Sequence, residues 1–143
     1  MFKGCVSLKR AIINSDDITS ATEMFNGCTS LEEVEINIQG ARLNNSAISK
    51  MFYGCTSLKD AKITNWGNYD LDLSNSLSLS VESVHRIITG TIGVYARKLI
   101  LHPNVIRVWQ ASEFYESDIT EANKLKITVT STGQSSLPNF TIN

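Results

Sequence analysis

The sequence predicts one α/β domain: a short right-handed solenoid of about four to five coils, with a parallel β-sheet and a helical C-terminal cap. Three observations predict it. An eight-residue motif occurs three times, each copy leads into a short alternating strand, and the second half holds better helix signals than the first. A chain of 143 residues with 42% hydrophobic residues suits a single domain with an adequate core.

The motif comes first along the chain. Met1-Phe2-Lys3-Gly4-Cys5-Val6-Ser7-Leu8 recurs as Met24-Phe25-Asn26-Gly27-Cys28-Thr29-Ser30-Leu31 and as Met51-Phe52-Tyr53-Gly54-Cys55-Thr56-Ser57-Leu58. The unit is M-F-x-G-C-x-S-L, and its starts at Met1, Met24 and Met51 are almost evenly spaced. Such a period marks a repeat architecture, in which each coil buries its apolar side only against its neighbours. Each copy runs into alternation at period two: Leu8, Ala11, Ile13; Leu31, Val34, Ile36; Leu58, Ala61, Ile63. That is a strand with one buried face. Polar stretches at Asn14–Ser20 and Asn44–Ser46 return the chain along the other side.

The second half drops the motif and keeps the rhythm. Leu71-x-Leu73, Leu99-x-Leu101 and Ile127-x-Val129 follow one another at a constant interval, close to that of the motif copies. Ile63 and Leu73 are too close in sequence for a full coil, so Leu71–Leu73 reads as a second-face strand within the third coil. Ser80 caps a helix from about Val81 to Thr89, with Val81, Val84, Ile87 and Ile88 on one side. Asp118 with Glu121 three residues later reads as a capping box for a helix through about Leu125. The predicted organisation is regular coils over 1–63, irregular capping coils over 64–130 and a polar, irregular tail over 131–143.

M-F-x-G-C-x-S-L followed by L-x-x-V-x-I resembles the BspA-like leucine-rich repeats of bacterial surface proteins and of proteins encoded by bacteriophages. The Leu71-Asp72-Leu73-Ser74 stretch, the Ser80-Val81-Glu82-Ser83 helix start and the final strand resemble C-terminal coils of such arrays. Family members carry many repeats behind an N-terminal region, whereas this chain opens inside a coil, like the C-terminal end of a longer array. The resemblance implies a non-enzymatic recognition, adhesion or structural module at a cell surface or on a virion. Its partner would be a protein or a surface glycan. The alternatives are a purely architectural assembly domain and, behind it, a carbohydrate-active enzyme.

Composition narrows the function classes. Thirteen Lys plus Arg against 14 Asp plus Glu leave a net charge of −1, without the basic excess of a nucleic-acid-binding domain. No stretch approaches the roughly 18 apolar residues of a membrane span, and the N-terminus lacks a signal-peptide pattern. No phosphate-binding glycine motif occurs. No cofactor or metal is expected.

Each candidate residue has a plainer role beside the functional one. Cys5, Cys28 and Cys55 share one repeat position without any Cys-x-x-Cys pair, which favours small buried fillers over a metal or redox site. The Met-Phe pairs read as a core column. Outward strand positions align as Lys9, Glu32, Lys59; Arg10, Glu33, Asp60; and Ile12, Glu35, Lys62, rows that favour cross-strand charge pairing over a binding face. His85 and His102 read as surface or packing residues. The carboxylate pairs Asp16/Asp17, Asp70/Asp72 and Glu113/Glu116 lack the apolar wall that glycoside hydrolysis needs. Asp70 and Asp72 beside Trp66 and Tyr69 form a candidate carbohydrate-binding surface. Trp109, Phe114 and Tyr115 form a candidate interaction anchor within Val105–Glu116, where Val105, Ile106 and Val108 read as core. The first coil has no visible cap, so its edge is expected to pair with a further domain, another subunit or another copy.

Overall fold

The computed structural model describes residues 1–14, 21–38, 48, 50–67, 69–93 and 95–131. Within them the order is β1 (Arg10–Ile13), β2 (Glu33–Asn37), β3 (Asp60–Thr64), β4 (Leu71–Leu73), α1 (Val81–Thr89), β5 (Arg97–Leu101), α2 (Pro103–Gln110), α3 (Tyr115–Lys124) and β6 (Ile127–Ser131). The strands form two three-stranded sheets, ordered β1-β2-β3 and β4-β5-β6, and every pair is parallel. The result is a mixed α/β fold with two small sheets where a single sheet was expected. The polar stretches at 15–20 and 44–46 and the tail from 132 onward lie outside the described residues.

The spacing of the motif sets the register of the first sheet. Arg10 pairs with Glu33 and Glu33 with Asp60, the same steps that separate Met1, Met24 and Met51. Ala11, Val34 and Ala61 therefore fall in one buried row, and Ile36 and Ile63 in the next.

Ahead of each strand the motif turns stack directly. The Phe2, Phe25 and Phe52 rings lie 5.6 and 5.5 Å apart and nearly parallel. Phe2 N donates to Met24 O and Gly4 N to Asn26 O; one unit later Phe25 N donates to Met51 O and Gly27 N to Tyr53 O. The cysteine thiols donate in the opposite direction, Cys28 to Phe2 O at 3.0 Å and Cys55 to Phe25 O at 3.2 Å. Gly27 and Gly54 hold φ near +79° and +78°, and a Cβ on either would lie in ordinary van der Waals contact with the glycine of the unit before, at 3.6 and 3.4 Å. The positive φ, shared with Gly4 at +75°, explains the fixed glycine.

A fourth, degenerate turn closes the series. Ser76 N donates to Leu73 O, Leu79 N to Ser76 O and Ser80 N to Lys59 O, the same bonds that Cys28, Leu31 and Lys59 make in their own turns. Asn75 supplies a side-chain acceptor to Gly54 N at 2.8 Å, where earlier units use a backbone carbonyl. At the place of a fourth strand the chain forms α1. Ser80 caps it, accepting from Ser83 N. The Ser83 hydroxyl then accepts from Ala61 N and donates to Lys59 O, while Gly90 O accepts from Asn65 N. Lys59 O, Ala61 N and Asn65 N on the outer edge of β3 are thus taken up by the helix and its cap.

Leu71–Leu73 is not a second-face strand of the third unit. It is the first strand of the second sheet, pairing Leu71 with Leu99 and Leu73 with Leu101. The constant interval read from the sequence sets the register of β4 on β5 only, because Leu99 pairs with Val129 and Ile127 with Arg97. The offset differs by two residues, an even number, so the apolar side chains keep their face. The buried residues of both sheets and the helices join in one apolar cluster.

Candidate functional site

The outward side chains of the first sheet form the most articulated surface. Arg10 Nε lies 3.1 Å from Glu33, Lys62 Nζ 3.4 Å from Glu35, and Arg86 of α1 3.8 Å from Asp60. These residues line an open cavity of about 160 Å³ together with Ala11, Ile12 and Val34. The row Lys9, Glu32, Lys59 is joined through backbone bonds, with no side-chain ion pair among the described residues. Solvent-exposed pairs of this kind stabilise by about 0.2–1 kcal/mol at most. The face therefore carries paired charges of both signs that a partner could re-pair at little cost.

The aromatic candidates are placed differently from expectation. Trp66 and Trp109 are both 0% exposed, which removes them from any binding surface. Trp66 Nε1 donates to Ile87 O at 3.0 Å, tying the loop after β3 to α1, and the Arg97 guanidinium lies over its ring at 5.0 Å. Tyr69 and Tyr115 are half-buried and pack against the core, and Phe114 is half-exposed. Asp70 and Asp72 are exposed, yet each has an oxygen bound to a backbone amide: Asp70 Oδ1 accepts from Lys98 N and Asp72 Oδ1 from Ser74 N. They fasten the start of the second sheet and its following turn. With Trp66 buried, the carbohydrate platform loses its stacking ring.

Val105–Glu116 is helical over most of its length. His102 caps α2, its Nδ1 accepting from Asn104 N, and Pro103 takes the first helical position, where its missing N–H costs nothing. α3 begins at Tyr115, three residues before the expected cap. Asp118 is not an N-cap: it is fully buried, with Oδ1 2.6 Å from His85 Nδ1 and Oδ2 accepting from Trp109 Nε1 at 2.9 Å. One carboxyl group thereby joins all three helices. His85 keeps one third of its side chain exposed and stacks on Phe114 at 4.4 Å. An imidazole oriented by a buried carboxyl is the support a general base needs, but no hydroxyl or thiol among the described residues bonds to it. Sequence reading missed this trio because its members are distant along the chain and share no motif. Val108, read as core, is 62% exposed because it lies on the solvent side of α2.

Arg97 is 3% exposed and has backbone carbonyls as its partners: Leu125 and Tyr95 on Nη1, Ile92 on Nη2. Its Nε has no partner among the described residues. Burial pulls its pKa below the usual arginine value. Leu125 is the C-cap of α3, so a buried cation sits at the negative end of that helix.

The cysteines are unbridged. Burial pushes the Cys28 thiol up, and it pushes Cys55 up to about 12, with Cys28 nearby adding to it. A raised thiol pKa means that the folded chain holds a proton which the unfolded chain, near 8.5, gives up. Its stabilising effect is therefore complete below that pH and lost as pH rises toward about 12. The urea midpoint of the chain is expected to fall from pH 8 to pH 10.5, and to fall less steeply in Cys55→Ala. Equal slopes in the two proteins would contradict it.

Among the described residues no three His, Cys, Asp or Glu side chains gather as metal ligands. No described helix is long and apolar enough to cross a membrane. No family model matches this chain, and neither a curated protein nor a solved structure is significantly similar to it.

Proposed function

We propose that the chain is a leucine-rich-repeat solenoid acting as a non-enzymatic recognition or assembly module at a bacterial surface or on a phage particle. Its partner is a protein met on the outer face of the first sheet. The observation that carries this reading is the cavity lined by Arg10, Glu33, Glu35, Asp60, Lys62 and Arg86, in which charges of both signs are set side by side over three parallel strands. Such a face suits an extended polypeptide carrying both charges, since opposed patterns select register and reject mismatched partners. The stacked motif turns support the solenoid, and the motif's resemblance to surface and phage arrays supports the setting. The face replaces the loop aromatics as the contact surface, because Trp66 and Trp109 are buried.

Fractionation of the native source with mass-spectrometric detection tests the setting: recovery with the envelope or with purified particles is expected, and recovery as a free cytosolic protein overturns it. Lys62→Glu with Arg86→Glu tests the face. Binding to the recovered envelope or particle is expected to weaken by about tenfold or more, roughly 1.4 kcal/mol. Undiminished binding by a folded double variant would leave the architectural role instead.

A further inference from the structure

We infer that the N-terminal face of the first unit is the docking surface for one more unit of the M-F-x-G-C-x-S-L type, stacked in parallel and acidic in its strand. This goes beyond the recognition reading and stands on the stacking geometry and the charges of the first strand.

The interface between successive units is polar in a defined sense. The earlier unit offers the Phe and Gly amides and its Phe carbonyl; the later unit offers its Met carbonyl, the carbonyl before its Gly, and its Cys thiol. The first unit uses the former set on the second. Its latter set is Met1 O, Lys3 O and the Cys5 thiol, none of which has a hydrogen-bond partner among the described residues. Lys9 N is free likewise among them, while Lys9 O accepts from Glu32 N and Glu33 N. One ring face of Phe2 is covered by Phe25 and the residue remains half-exposed. A Cβ on Gly4 would meet nothing within 4 Å, where Gly27 and Gly54 each meet a glycine. Every element of the interface is therefore present in one half.

Charge selects the strand. Lys9 heads the row Lys9, Glu32, Lys59, and Arg10 heads Arg10, Glu33, Asp60 with its single partner at 3.1 Å. Acidic side chains at the positions of Glu32, Glu33 and Glu35 in an added unit would face Lys9, Arg10 and Ile12. The second unit itself, Met24–Ile38, has this composition, and it already presents the required amides and carbonyl to the third unit. A two-fold related copy does not serve: an axis across the strands pairs β1 antiparallel and carries the two motif turns to opposite ends, and an axis along them reverses the sheet face and sets each edge against its own like groups.

The test places residues 24–50 ahead of Met1, preserving the step from the second unit to the third, and follows alkylation of Cys5 by mass spectrometry. Cys5 is exposed in the chain as it stands and is expected to alkylate fast, with Cys28 and Cys55 slow. The added unit should slow Cys5 by about tenfold or more. The same extension carrying Phe25→Asp and Gly27→Val in the added copy should not. Equal Cys5 rates in the extended and original chains, or equal protection by the disrupted extension, overturn the inference.

Should the extended chain fail to fold, a peptide of residues 24–38 with Cys28→Ser decides the matter in trans. That thiol would point away from the interface. At about 1 mM, where a Kd of that order corresponds to some 4 kcal/mol, the peptide should slow Cys5 alkylation, and its Glu32, Glu33, Glu35→Lys version should not. No protection by the peptide overturns the inference. So does a chain that sediments as a dimer with Cys5 already protected, since a second copy then occupies the face.

Discussion

Replacing Asp118 with alanine is expected to lower the unfolding free energy by about 3 kcal/mol. The change strips the acceptor from the Trp109 indole, which is itself wholly buried, and from His85. A buried donor left unpaired costs about 1–3 kcal/mol, and the lost bond to His85 adds to it. Because the carboxyl group joins α1, α2 and α3, all three helices lose a shared anchor. His85→Ala should cost less, since one third of that side chain is exposed. The double variant should fall short of the sum of the two single losses, because both act through one bond. Urea denaturation of the four proteins measures each quantity, and an Asp118→Ala loss under about 0.5 kcal/mol would show that the trio stabilises nothing.

Phe25→Ala is expected to cost about 3–5 kcal/mol, the usual range for emptying a buried aromatic site. Its ring lies between those of Phe2 and Phe52, with centroids 5.6 and 5.5 Å away on the two sides. Neighbouring units are held by these rings and by backbone bonds that cannot follow a collapse, so the cavity stays open. Phe2→Ala removes a ring stacked on one side only and should cost less than half as much. If Phe2→Ala proved the more damaging, the ring column would not be the axis on which the units are assembled.

Much of the first sheet is readable in the sequence, because a repeat states its own register. Once Cys5, Cys28 and Cys55 are aligned, the pairing of Arg10 with Glu33 and of Glu33 with Asp60 follows by counting. The helix after Ser80 was equally plain, since cap and apolar periodicity agree locally. What escaped was set by distant partners. Asp118 and Glu121 have the spacing of a capping box, yet burial against Trp109 and His85 places Asp118 inside the helix. Trp66 and Trp109 looked like surface anchors because composition does not say on which side of a loop a ring falls. The degenerate fourth turn kept only Ser78-Leu79 as the counterpart of Ser57-Leu58, too little to be noticed without its hydrogen bonds. The candidate face was legible as three rows of charge and was read as pairing; its cavity needed Arg86, which arrives from α1.

The parallel stacking of short units also has a mechanical meaning. β1 pairs with β2 and β2 with β3, so among the described strands each one of the first sheet pairs only with the strand before or after it. Tension on the N-terminus therefore loads one row of bonds at a time, as a zip is loaded and not as a shear joint. Each row that yields frees a short length of slack, on the order of 80–90 Å at about 3.4 Å per residue, before the next one bears the load. The yielding stops at β3, where the Ser83 hydroxyl and the Gly90 carbonyl tie the strand to α1 and the helices behind it. The molecule is thus a compliant stretch at one end and a fixed anchor at the other.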